Sequence, residues 1–240
     1  MKNIKFLFAI CIAICLTSCA SLMREKSLLE KLNNVGTLST LDESLNIRFI
    51  QKSKLLRNIN YDTSAWDLNA IVNQELQASL KLSGKKVINV AVDNKLIEDK
   101  RKDALQLKNI YLGNRYQGVQ QYIQEEAKKQ GASYLVFMYP MPSPENESVV
   151  AGYGLYCDST SSQDQLWAYL SVAIEVWDID SQNSLGRTLL TFKDLSVPTS
   201  LNCAKAFRMK DFDLSSAMRP VFEELARKAT HLGLSRLEIK

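Results

Sequence analysis

The stretch LWAYLSVAIEVWDI, residues 166–179, decides the fold class. Leu166, Ala168, Leu170, Val172, Ile174 and Val176 alternate with Trp167, Tyr169, Ser171, Ala173, Glu175 and Trp177. A period of two residues belongs to a β-strand, whose successive side chains point to opposite faces. Asp180 to Gly186 carries turn residues and Thr188 to Leu195 is again strand-like, so the pair reads as a long antiparallel hairpin near the C-terminal end. A lone hairpin is marginal in water, so the strand needs neighbours and a covering layer.

Both are legible upstream. Leu45, Ile47 and Phe49 alternate as a first strand. Ser64 and Asp67 form a capping-box-like pair, and Leu68, Ile71, Val72, Leu76 and Leu80 recur at helical spacing up to about Leu82, where Gly84 stops the helix. Val87 to Val92 (VINVAV) reads as a short strand buried on both faces. Asn114 is placed to cap a second helix with Tyr116, Val119, Ile123 and Ala127 on one face, ended by Gly131. Tyr134 to Tyr139 (YLVFMY) follows as a strand, and Val149 to Tyr156 is another beyond a Pro-rich loop. A final helix spans about Leu214 to Leu232, with Pro220 either kinking it or marking its first turn. Strand-helix-strand-helix-strand implies crossovers on a partly parallel sheet. The expected fold class is α/β, with α+β as the alternative: a single mixed sheet with helices packed on at least one face.

Composition limits function. The chain has 240 residues, 46% apolar and 23% charged, which suits a folded domain with an appendage and excludes a disordered or multi-span chain. Its single histidine, His231, rules out a His-rich zinc site and suits the dipole at the end of the last helix. No Gly-x-Ser-x-Gly elbow is present, Gly152-Tyr153-Gly154 lacks the third glycine of a dinucleotide loop, and Glu125-Glu126 and Glu223-Glu224 are adjacent on helices rather than convergent. Neither catalytic residues, metal ligands nor a cofactor are expected.

The amino terminus is more specific. Lys2 and Lys5 precede an uninterrupted apolar run of eleven residues, Phe6 to Leu16. A membrane-spanning helix needs about 20 residues, so this run has the length of a secretory signal instead. Leu16-Thr17-Ser18-Cys19 resembles the lipobox of bacterial lipoprotein precursors. The resemblance implies cleavage before Cys19, a diacylglycerol thioether on its sulfur and a further acyl chain, such as palmitate, on the new amino group. Each buried methylene contributes about 0.8 kcal/mol, so several chains form a stable anchor. Ala20 resembles the pattern sent to the outer membrane, so the expected location is the bacterial envelope, lipid-anchored to the outer membrane and facing the periplasm. The expected organisation is a signal peptide over 1–18, a tether or short helix over 19–44 and one globular domain over 45–240. Without Lys2 and Lys5 the basic count falls from 30 to 28 against 26 acidic residues, so charge indicates no nucleic-acid partner.

Cys11 and Cys15 leave with the signal and Cys19 is lipidated, so of five cysteines Cys157 and Cys203 remain. In an oxidising compartment they are expected to form a disulfide bond. Trp167, Tyr169 and Trp177 share one face of the long strand, which reads either as core beneath a helix or as a partner-binding surface. The order of elements after the lipobox, from about Leu45 to Leu232, resembles the fold shared by the curli-secretion lipoprotein, the outer-membrane activators of penicillin-binding proteins and the amino-terminal domain of the Tol-system periplasmic protein. The expected function is a non-enzymatic binding or assembly module for an envelope protein or peptidoglycan. The alternatives are an oligomeric subunit of an export or secretion complex, for which residues 166–179 would serve as a barrel strand with Glu175 facing the lumen, and a carboxylate-dependent hydrolase.

Overall fold

A computed structural model describes residues 32–50, 57–97, 99, 117–144, 149–158, 165–208 and 211–239. The signal segment, Cys19, Asn114 and Tyr116 lie outside them. The described elements run β1 (Val35–Ser39), β2 (Ser44–Ile50), β3 (Arg57–Asp62), α1 (Leu68–Leu82), β4 (Val87–Asn89), α2 (Gln117–Lys129), β5 (Tyr134–Pro140), β6 (Gly152–Asp158), β7 (Gln165–Asp178), β8 (Asn183–Leu190), β9 (Ser196–Asn202), α3 (Cys203–Arg208) and α4 (Asp211–Arg236).

The 14-residue strand β7 is the spine of a nine-stranded mixed sheet, ordered β3-β2-β6-β7-β5-β1-β4 with β8 and β9 also paired to β7. Its first half, up to Ser171, lies antiparallel to β6 and β9; its second half, from Val172, lies antiparallel to β5 and β8. The alternation sorts its side chains. Ala168, Leu170, Val172, Ile174 and Val176 enter one core with α1 and α4, whose Leu76, Leu80, Phe222 and Leu225 are almost fully buried there. Ala173 and Trp177 enter a second core on the other face, beneath Val119, Ile123 and Ala127 of α2. Most of β7 is thus buried on both faces, unlike a barrel strand with one face on lipid. Glu175, assigned above to a lumen, accepts a hydrogen bond from the Tyr139 hydroxyl at 2.7 Å and lies opposite Arg187 in the β7–β8 register.

Several boundaries differ from expectation for identifiable reasons. Val35–Ser39 falls within the segment assigned to a tether, yet all five residues are buried, because β1 sits in the sheet between β4 and β5. The parallel set is therefore β1, β4 and β5, while β2 runs parallel to β6. The VINVAV strand shortens to three residues at the sheet edge; its Val90 leaves the ladder and packs into the second core. The Ser64–Asp67 capping box does not form. Asp67 takes a left-handed backbone (φ 53°) and makes no side-chain cap, because the preceding 3-10 turn drives Trp66 into the first core against Phe222. The indole N–H of Trp66 donates to Ser215 Oγ at 2.7 Å. Pro220 lies inside α4, which begins earlier than expected at Asp211, and its ring faces solvent. Gly84 and Gly131, with φ of 74° and 85°, end α1 and α2 as expected.

Candidate functional site

Cys157 and Cys203 are bonded, with their Cα atoms 5.8 Å apart. The bridge joins the end of β6 to the first residue of α3, across the start of β7, where Leu166 pairs with Cys157 and Gln165 with Asn202. It fixes the half of the sheet that α2 does not cover.

On that half-face the register places Arg48, Tyr156, Trp167 and Pro198 in one row and Asn46, Gly154, Tyr169 and Ser196 in the next. Gly154 is needed here: a Cβ at this position would fall 2.5 Å from the Asn46 carbonyl and collide with the Tyr169 hydroxyl. Tyr169 therefore lies across the glycine, fully buried, and its oxygen accepts the Val150 N–H at 3.2 Å. Burial pushes its hydroxyl up to about 12. Gly152-Tyr153-Gly154 is thus a packing device. Tyr153 points into the opposite core, shares a hydrogen bond of 2.5 Å with Thr63, and is likewise pushed up to about 12 by burial.

The three aromatic residues singled out above consequently do not form one surface. Trp177 is 3% exposed, tilted against Phe137 at 5.2 Å beneath α2. Tyr169 is core. Trp167 alone stays half-buried, and the fold gives it companions the alternation did not reveal: Phe192, from the segment after β8, centres 6.2 Å from Trp167, 5.7 Å from Tyr156 and 6.0 Å from Tyr169. Tyr156, Trp167 and Phe192 are all half-buried, so the exposed aromatic patch is centred on β6 and β7. Phe192 was indistinguishable from an ordinary strand residue in the sequence.

The remaining candidates resolve into surface pairings. His231 Nε2 stands 3.4 Å from Glu75 Oε2, tying α4 to α1. Glu223 pairs with Arg219 at 2.8 Å, Glu126 with Lys129 at 2.7 Å, and Glu125 accepts from Gln121 at 2.9 Å. The basic run Lys100-Arg101-Lys102, whose sequence reads as a solvated excursion, and Asn146-Glu147-Ser148, which fits a glycosylation sequon, lie outside the described residues.

Two neighbouring cavities, lobes of one crevice in that they share Asn69 and Asn94, open at the carboxyl ends of β1 and β4. Asn69, in the first turn of α1, fixes its floor: its Oδ1 accepts from Ser39 Oγ at 2.8 Å and from the Leu41 N–H at 2.7 Å, and its Nδ2 donates to the Leu41 carbonyl at 3.0 Å. One lobe, of about 570 Å³, is bounded by Asp42, Glu43, Asn46, Lys95 and Val150; the other, of about 320 Å³, by Asn73, Gln74, Gln77 and Asn89. Asn69 and Asn94 line both.

No family model matches the chain, and no curated protein matches it. Among solved structures it is similar to protein XCC0632 of Xanthomonas campestris, described with the family model DUF330, at 10% identity and a TM-score of 0.32 over 87% of this chain and 85% of that one. It is also similar to the hypothetical protein CT253 of Chlamydia trachomatis, at 17% identity and a TM-score of 0.35 over 86% and 96%. At these scores neither likeness carries an argument.

Proposed function

We propose that the chain is a lipid-anchored, non-enzymatic binding module of the bacterial envelope, tethered to the outer membrane through Cys19 and docking a second envelope component on the open half of its sheet. The observation that supports this reading is the asymmetry of the second sheet face. Helix α2 covers the β5–β1–β4 half, while Tyr156, Trp167 and Phe192 stay half-exposed on the half stiffened by the disulfide. Clustered aromatic side chains on a rigid support suit an interface, since they bury large area at little cost in side-chain entropy. Among the described residues no helix is long and apolar enough to cross a membrane, so on this reading attachment rests with the lipid.

The test has two arms. Intact mass of the membrane-extracted chain beside a Cys19→Ala variant should show loss of residues 1–18 and addition of acyl chains in the parent alone. A photo-crosslinking amino acid placed at Trp167 or Phe192 in whole bacterial cells should yield a discrete adduct absent when the same group replaces Leu82, which is exposed on α1. An unmodified chain would refute the anchor. Adducts absent at 167 and 192, or equal at 82, would refute the docking face.

A further inference from the structure

The hollow beside Asn69 does not depend on the docking reading, and its position has a topological cause. Strands β1 and β4 are parallel neighbours, but the chain leaving β1 turns away into β2 and β3 before it comes back to β4 through α1 on one face of the sheet, whereas α2, on the way from β4 to β5, packs on the other face. Where connections diverge in this way, the two chains separate beyond the strand ends and leave a crevice, the place where open α/β sheets receive ligands. Its lobes, of about 570 and 320 Å³, fall in the range of small-molecule sites.

The lining chooses the ligand chemistry. Carboxamides dominate: Asn69, Asn73, Gln74, Gln77, Asn89 and Asn94 come from the exposed flank of α1 and the chain leaving β4. Asn69 spends its hydrogen bonds on holding Ser39 and Leu41. By contrast the Oδ1 of Asn73 is buried with no donor, a state that a hydrogen-bonding partner would relieve. A carboxamide presents one acceptor and two donors in a plane, matching hydroxyl groups that each donate and accept. Charge disfavours the common anions: among the described residues Asp42 and Glu43 line one lobe against Lys95, and Asp67 lines the other, so the described wall of each lobe is net negative. Leu41, Ile97 and Val150 supply apolar surface for ring C–H groups.

From this geometry we propose that the crevice at the carboxyl ends of β1 and β4 binds a neutral, polyhydroxylated ligand, a saccharide, through the carboxamides of Asn73, Gln77 and Asn94. Asn69 is a positioning residue that sets the floor. No bond is made or broken; the site is one of recognition.

The experiment is saturation-transfer NMR and calorimetry of the full chain in detergent, with chitotetraose as the neutral probe and inorganic phosphate as the anionic one. Chitotetraose should bind and phosphate should not. Asn73→Leu and Asn94→Ala should each weaken chitotetraose about tenfold, the equivalent of about one hydrogen bond. Asn94 is exposed, so its variant decides the matter even if Asn73→Leu unfolds. Absence of chitotetraose binding, stronger binding of phosphate, or cleft variants that bind like the parent would each overturn the assignment. Loss of binding in Trp167→Ala with no loss in Asn94→Ala would move the saccharide to the aromatic face, overturning the crevice while leaving the docking reading intact.

Discussion

Reducing the Cys157–Cys203 bridge leaves every side chain in place except for two added hydrogens, so it isolates the contribution of the crosslink. The bridge spans 46 positions and encloses β7, β8 and β9, the strands that organise the rest of the sheet. On the chain-entropy relation a closed loop of that length restricts the unfolded chain by about 4 kcal/mol at 25 °C. For a chain of this size a urea dependence of about 2 kcal/mol per molar converts that into a fall of about 2 M in the unfolding midpoint. In a thermal scan the same difference amounts to about 8–16 °C. The assay is urea unfolding of the purified chain with and without a phosphine reductant, with intact mass confirming the gain of two hydrogens. Cys157→Ala/Cys203→Ala should fall at least as far as the reduced parent, because both sulfurs are buried and their removal adds a small packing loss. A midpoint change under about 0.5 M, equivalent to about 1 kcal/mol, would refute the reasoning. It would mean that the unfolded chain already holds these strands together.

Two further predictions follow from the packing around β6. Gly154→Ala should destabilise by about 1–3 kcal/mol, because the added methyl meets the Asn46 carbonyl as well as the Tyr169 ring and backbone cannot rotate away; an unchanged urea midpoint would contradict it. Ultraviolet titration should show Tyr153 and Tyr169 resisting ionisation, since burial favours the neutral phenol and pushes both up to about 12. These pKa values are raised by folding, so their stabilisation is complete below pH 10 and is lost as pH climbs from about 10 to 12. All tyrosines ionising together near 10 in the folded chain would refute this.

The amide crevice escaped the sequence reading because its parts are scattered. Ser39 to Leu41, Asn69 to Gln77 and Asn89 to Asn94 approach one another only when β1 and β4 pair and α1 packs over them. The one local hint is the run of carboxamides at helical spacing, Asn69, Asn73 and Gln77, which by itself reads as a solvated helix flank. The aromatic face was half legible. Alternation put Trp167, Tyr169 and Trp177 on one side of β7, but what covers each of them depends on elements distant in sequence: α2 over Trp177, and Gly154 beneath Tyr169.

Sequence alone determined whatever depends on local period or on counting. The two-residue alternation specified β7, the 3.6-residue recurrence specified α1, α2 and most of α4, glycines marked two of their ends, and cysteine arithmetic selected Cys157 and Cys203. Tertiary structure decided the rest. Strand β1 reads VGTLS, with no alternation, because pairing on both edges and cover on both faces demand close packing rather than amphipathicity. Strand order, the face that each helix covers and the crevice between diverging connections follow from long-range pairing, whose free energy lies in contacts between residues tens of positions apart and so leaves little trace in any local window.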